Sequence, residues 1–210
     1  LNKEALQTIY MLMFQRYPTL LILASLVFIC VGLRADYSLD GELKQWHRVT
    51  LNFDGPASSE DATPNPFLDY RLQVTFTHKD QTFSVPGYFA ADGEAAETSG
   101  TAGNKWRVHF MPETAGKWEF EASFRTGKEV AISADASAGT ATSFDGTRGS
   151  FTIVRSDKAA PDMRGQGKLA YVGKRYLQFQ ETGQYYLKSG PDSPETFLAF
   201  KDFDGTYSHN

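Results

Sequence analysis

Large apolar residues recur at every second position in five stretches of this chain. Val49, Leu51 and Phe53 are interleaved with Thr50 and Asn52, and Leu72, Val74 and Phe76 with Gln73 and Thr75. Trp106, Val108 and Phe110 alternate with Arg107 and His109. Trp118, Phe120, Ala122 and Phe124 alternate with Glu119, Glu121 and Ser123, and Phe151 and Ile153 close the series. A period of two gives a strand one dry and one wet face. Several such strands predict two antiparallel sheets packed through their dry faces.

Turn residues separate the runs, at Asp54-Gly55-Pro56, Thr63-Pro64-Asn65-Pro66, Ala91-Asp92-Gly93 and Thr114-Ala115-Gly116. Short strands with frequent turns predict an all-β, immunoglobulin-like sandwich. Phe83 to Val85 and Tyr88-Phe89 are read as one strand broken at Pro86-Gly87. The connections from Ala90 to Lys105 and from Ala131 to Arg148 are long, polar and rich in small residues. They are expected to stay off the core and to be mobile. A polar stretch follows from Arg155, through Pro161. Beyond it, Gly173-Lys174 between two apolar runs predicts a hairpin with a two-residue turn, and Tyr185 to Leu187 a further strand.

The segment Thr19 to Leu33 is largely apolar and carries no charge, with Arg16 before it and Arg34 after it. That is the pattern of a secretory signal. Two alternatives stay open at this point: an uncleaved anchor, for which the run is short, and a lipoprotein signal using Cys30, although Ile29 stands where a small residue is expected. Export to the periplasm or the medium is expected, with membrane attachment only through this segment.

The chain carries a net charge of −4; residues 1–35 contribute +2 and the remainder −6. No Lys/Arg cluster offers a surface for phosphates, so nucleic acid is not an expected partner. Cys30 is the single cysteine of the chain, which excludes a disulfide framework or a thiolate metal site in the body. His47, His78, His109 and His209 lack metal-ligand spacing, and no metal or cofactor is expected. Trp106 and Trp118 open the apolar alternation of their strands and are assigned to the core, while Trp46 is left undetermined.

Four blocks carry a resemblance: Trp46 to Pro56, Asn65 to Arg71, Val85 to Gly93 and Trp106 to Phe124. Together they resemble the uncharacterised N-terminal β-sandwich domain of bacterial proteins classed as glycoside hydrolases, over roughly residues 42–155. Gly190-Pro191-Asp192-Ser193-Pro194-Glu195 and Asp202-Phe203-Asp204-Gly205-Thr206 resemble the start of the apiosidase-like (β/α) barrel that follows in those proteins. With the apolar lead and the polar stretch after Arg155, the resemblance divides the chain into a signal peptide over 1–35, a short lead over 36–41, the sandwich over 42–155, a linker over 156–168 and the first elements of a barrel over 169–210. It also implies that the catalytic pair lies on later barrel strands, so none of the present residues is assigned to catalysis.

Glycoside hydrolysis needs two carboxylates across the scissile bond. Asp192, Glu195 and Asp204 are at most sugar contacts from a first barrel loop. A competing reading makes Ser193 an N-cap, Pro194 the first helical residue and Glu195 a dipole partner. Asp202-Phe203-Asp204-Gly205 lacks the later ligands of a calcium loop. The functional expectation is an accessory sandwich of an exported enzyme that acts on polysaccharide, inactive by itself, with carbohydrate reached through the barrel. The alternatives are a carbohydrate- or matrix-binding module without catalysis, and a structural spacer.

Overall fold

The computed structural model describes residues 37–187 and Gly190. The expected signal segment and the candidate residues Asp192, Glu195 and Asp204 lie outside the described residues. Among those described, no helix is long and apolar enough to cross a membrane.

The alternating runs form strands as their period requires. One sheet contains β1 (Tyr37–Asp40), β2 (Val49–Ser59), β6 (Ala102–Phe110) and β5 (Tyr88–Phe89), in that order. The other places β4 (Gln81–Pro86), β3 (Tyr70–His78) and β7 (Gly116–Thr126) in sequence, with β8 (Thr140–Ala141) and β9 (Arg148–Ile153) both pairing with β7. All these pairings are antiparallel. With β8 set aside, the two orders correspond to the A-B-E-D and C′-C-F-G sheets of an immunoglobulin-type sandwich.

Register decides which side chains meet. Leu51 lies opposite Val108 and Phe53 opposite Trp106 in the first sheet, while Val74 lies opposite Ala122 and Phe76 opposite Phe120 in the second. A slip of one residue in either pairing would turn the apolar set to solvent. The dry faces interlock through aromatic contacts, with Phe76 stacked on Phe110 at 4.1 Å and Trp106 tilted against Phe124 at 4.7 Å. Trp106 and Trp118 are fully buried, as assigned from the alternation.

Pro86-Gly87 does more than interrupt a strand. The chain leaves one sheet at β4 and enters the other at β5, so the two halves of the expected strand belong to different layers. Gly87 lies against both layers at the crossing, where a Cβ would come within 2.4 Å of Leu72 and 2.7 Å of Val108. Proline ends the ladder on one side, and only glycine fits the passage on the other.

The two long connections are anchored, which corrects the expectation that they stay off the core. Ala90 and Ala91 are buried at the start of the first, and Phe144 of the second enters the core. Arg71 donates to the carbonyls of Ser133, Asp135, Ala136 and Ala138, and Arg125 to those of Ser137, Ala138 and Gly139. A segment with few apolar groups is thus held by its backbone, through arginines located on the neighbouring strands.

After β9 the chain folds back. Asp162 accepts the Arg164 N–H at 2.9 Å and caps a short 3-10 turn over Met163–Gly165, and Gln166 is buried. A separate meander follows, with β10 (Leu169–Ala170), β11 (Leu177–Phe179) and β12 (Tyr185–Tyr186) paired antiparallel in order. Leu169 lies opposite Phe179, one residue out of step with a two-residue turn at Gly173-Lys174. That register sets two apolar residues across from each other where the expected one would face Phe179 with Lys168. The described part of the expected barrel start is therefore antiparallel, whereas barrel strands run parallel.

Candidate functional site

Three connections gather at one end of the sandwich, namely 60–69, 90–101 and 127–147. Their local chemistry makes the first of them rigid. The Asn65 side-chain oxygen accepts N–H groups from Phe67 at 2.8 Å and Leu68 at 3.2 Å. Asp69 accepts the N–H of Glu129 at 2.9 Å and that of Asn65 at 2.8 Å. These two donors, Glu129 first, hold the Asp69 carboxyl below the usual carboxylate range. Asp69 thereby fastens two of the connections together, and the knuckle it braces pushes Phe67 outward.

The Phe67 ring is 53% exposed and stands edge-on to Phe89 at 6.3 Å. Phe89 is buried against Trp106 at 5.2 Å, so the exposed ring rests on the core. The opposite wall is the turn beginning at Ala91. Asp92 accepts the Thr98 hydroxyl at 2.6 Å and the Glu94 N–H at 2.8 Å, and the pair lowers its pKa. This closes the short helix α1 (Ala95–Thr98) into a compact bracket. Gly103 allows the bracket to lie on β6, since a Cβ there would fall 2.0 Å from the Ala91 carbonyl oxygen.

The floor comes from the wet face of the first sheet. Arg107 donates through Nε to Asn52 at 2.6 Å and through Nη2 to the Gly93 carbonyl at 2.8 Å. Beside it Tyr88, 43% exposed, shares a 2.9 Å hydrogen bond with His109 Nε2, whose Nδ1 meets the Thr50 hydroxyl at 2.9 Å. Burial, then the charges of Arg48 and Arg107, pushes the His109 pKa down. A neutral imidazole with one donor and one acceptor nitrogen fits between two hydroxyls.

These parts enclose a groove of about 360 Å³ whose lining includes Phe67, Tyr88, Arg107, Glu60, Glu94 and Glu97. Two exposed aromatic rings beside a fixed guanidinium and several carboxylates suit a ligand that is apolar on its faces and rich in hydroxyls on its edges. A second concavity of about 550 Å³ lies on the outer face of the other sheet and is lined by Thr75, Thr77, Glu119, Glu121, Arg148 and Ser150 among others. Its carboxylates are engaged by Lys117 and Arg148, and no exposed aromatic lines it.

The site was not the one expected from sequence, whose candidates all fall outside the described residues. The two long connections carry no exposed ring among the described residues, and the shorter 60–69 connection supplies Phe67. The available signal was a large aromatic placed among Asn65, Pro66 and Asp69, where turn residues leave it nothing to pack beneath. Trp46 is accounted for separately. Its backbone is left-handed at φ 64°, and its indole Nε1 donates to Glu181 at 3.1 Å, which ties the meander to the sandwich.

Fold and groove together define a two-sheet antiparallel module with a concave, aromatic-bearing end. Residues 42–125 match the family described as Domain of unknown function (DUF5060). No curated protein matches the chain. One solved structure similar to it is that of a "putative glycoside hydrolase" from Bacteroides vulgatus ATCC 8482, with 24% identity and a TM-score of 0.44. The similarity covers 68% of this chain and 20% of that protein, so this chain spans about a fifth of its length.

Proposed function

We propose that this chain is the N-terminal accessory sandwich of an exported bacterial glycoside hydrolase acting on polysaccharide, and that its groove holds the sugar chain. The observation that carries the sugar-binding role is the pairing of Phe67 and Tyr88, both exposed and both braced from behind, across from Arg107. Braced rings lose little entropy on contact, and a ring face is well matched to the C–H surface of a pyranose. Support for the parent enzyme comes from the resemblance of four sequence blocks to the sandwich domains of bacterial proteins classed as glycoside hydrolases. Catalysis is assigned to a barrel outside the described residues, where Asp192, Glu195 and Asp204 remain candidate sugar contacts.

Affinity electrophoresis in gels containing soluble plant, algal or bacterial polysaccharides tests the binding role. The protein should be retarded by at least one of them, and Phe67→Ala and Tyr88→Ala should each abolish the retardation. Retardation that survives both substitutions would move the ligand elsewhere.

A second reading, a module that serves mainly to pack against a neighbouring domain, has one observation in its favour. Tyr171, Val172, Tyr176, Leu177, Tyr185 and Leu187 are all exposed on and around the small meander. That is a dense apolar surface for so short a segment. The two readings use different ends of the module and are compatible in one protein.

A further inference from the structure

The lead into β2 meets the chain leaving β9 at the far side of the first strands. Backbone pairing fixes the meeting. Lys44 and Val154 form a parallel bridge, the Gln45 N–H donates to the Val154 carbonyl at 2.9 Å, and the Val154 N–H to the Leu43 carbonyl at 3.0 Å. This brings Glu42 and His47 beside Asp157, and one ligand atom from each lies within 4.8 Å of the others.

The histidine is the informative member. His47 is 2% exposed, and its Nδ1 lies 2.8 Å from the Gln45 carbonyl oxygen. A carbonyl can only accept, so Nδ1 carries the proton and Nε2 presents a lone pair. That lone pair has no hydrogen-bond partner among the described residues, although the atom is sealed from solvent. It lies 4.0 Å from Glu42 Oε2, too far for a hydrogen bond, and a small side-chain shift brings the pair to the roughly 3.3 Å that separates two ligands of a tetrahedral zinc. Holding the remote nitrogen by a carbonyl is the arrangement that fixes the tautomer of metal-bound histidines.

The carboxylates already gather positive charge. Lys44 Nζ lies 2.6 Å from Glu42 and 2.8 Å from Asp157, bonding both at once, and Lys158 stands 3.7 Å from Asp157. The ammonium answers the two carboxylates and leaves the imidazole unanswered. A divalent ion would satisfy all three.

We propose that Glu42, His47 and Asp157 form a binding site for a divalent transition cation of the zinc class, with the Lys44 side chain as a built-in competitor that swings out when the ion enters. One imidazole nitrogen and two carboxylate oxygens neutralise the double charge and leave a coordination position for water. The neutral nitrogen favours zinc, nickel or cobalt over calcium or magnesium, which take oxygen ligands. The bound ion would clamp the exit of the sandwich to its entry, fixing the direction in which the chain departs. No histidine spacing announces this site, because Glu42 and His47 are joined to Asp157 only by the fold.

Calorimetric titration of the metal-stripped protein with zinc chloride tests the proposal. Glu42 and Asp157 are surface residues, with side chains 49% and 58% exposed, so Glu42→Gln and Asp157→Asn should leave the fold intact. The wild-type protein should bind a single zinc ion at the cluster, and each of these variants should weaken that binding by about tenfold or more. Lys44→Met removes the competitor and should tighten it. Cobalt should compete with zinc, whereas calcium and magnesium should not. Failure to bind zinc would overturn the site, and so would zinc binding unmoved by Glu42→Gln and Asp157→Asn.

Discussion

Phe144 lies parallel to Phe124, with 4.4 Å between ring centroids and 3° between planes, and its other face stacks on Phe53 at 4.4 Å. The ring belongs to an irregular connection, yet it bridges the two sheets. The neighbouring residue secures it, because the Asp145 carboxylate accepts the Phe124 N–H at 2.6 Å, on the stretch of β7 between its pairings with β9 and β8. Phe144→Ala should therefore destabilise the domain by about 3–5 kcal/mol, the penalty for emptying a large aromatic core site. Urea unfolding followed by tryptophan fluorescence measures it. A loss below about 1 kcal/mol, well short of any core aromatic, would mean that the ring is not part of the core.

The 133–139 segment depends on two guanidinium groups rather than on burial. Lysine keeps the charge of arginine but not its planar array of donors. Replacing both Arg71 and Arg125 with lysine should strip hydrogen-exchange protection from residues 133–139 and open them to limited proteolysis. The midpoint of global unfolding should move far less than it does in Phe144→Ala. Unchanged exchange in this segment would contradict the assignment.

Acid should act through Asp69, Asp92 and Asp135. The first two are held down by the donors already described, and Asp135 by the hydroxyl and then the N–H of Ser137. Each folded-state pKa lies below its unfolded value. Their contribution to stability is therefore complete above the unfolded pKa, about 3.9 for aspartate, and disappears as pH falls through the folded value. Denaturant unfolding from pH 7 downward should show stability falling chiefly below about pH 4, with the slope reduced in Asp69→Ala and Asp92→Ala. A profile flat down to pH 3 would contradict these assignments.

The strands were legible because alternation is a local property, and β2, β3, β6, β7 and β9 bury the residues that their period singled out. What the alternation lacks is the identity of the partner strand. Tyr88-Phe89 and Phe83 to Val85 share a pattern and a proline-glycine break, yet pair in different sheets. Phe144 is hidden from the pattern for the same reason, since a lone aromatic in a polar segment has no periodicity to assign it. The groove was less legible still. Phe67 comes from the 60–69 connection and Tyr88 from β5, and the pairing of β5 with β6 is what brings Tyr88 beside Arg107. The carboxylates conspicuous in the sequence, Asp192 and Glu195 among them, lie outside the described residues, whereas the groove depends on aromatics that only the fold brings together.

What occupies the groove decides the role of this end of the sandwich. Nuclear magnetic resonance mapping answers this most directly: oligosaccharides from a retarding polysaccharide are titrated into isotope-labelled protein while backbone amide shifts are followed. The shifts should move at Phe67, Tyr88, Arg107 and the 93–97 bracket, and should stay still on the meander from Leu169 to Tyr186. Perturbations confined to the meander, or no perturbation by any such oligosaccharide, would contradict a sugar-binding role for this end of the sandwich.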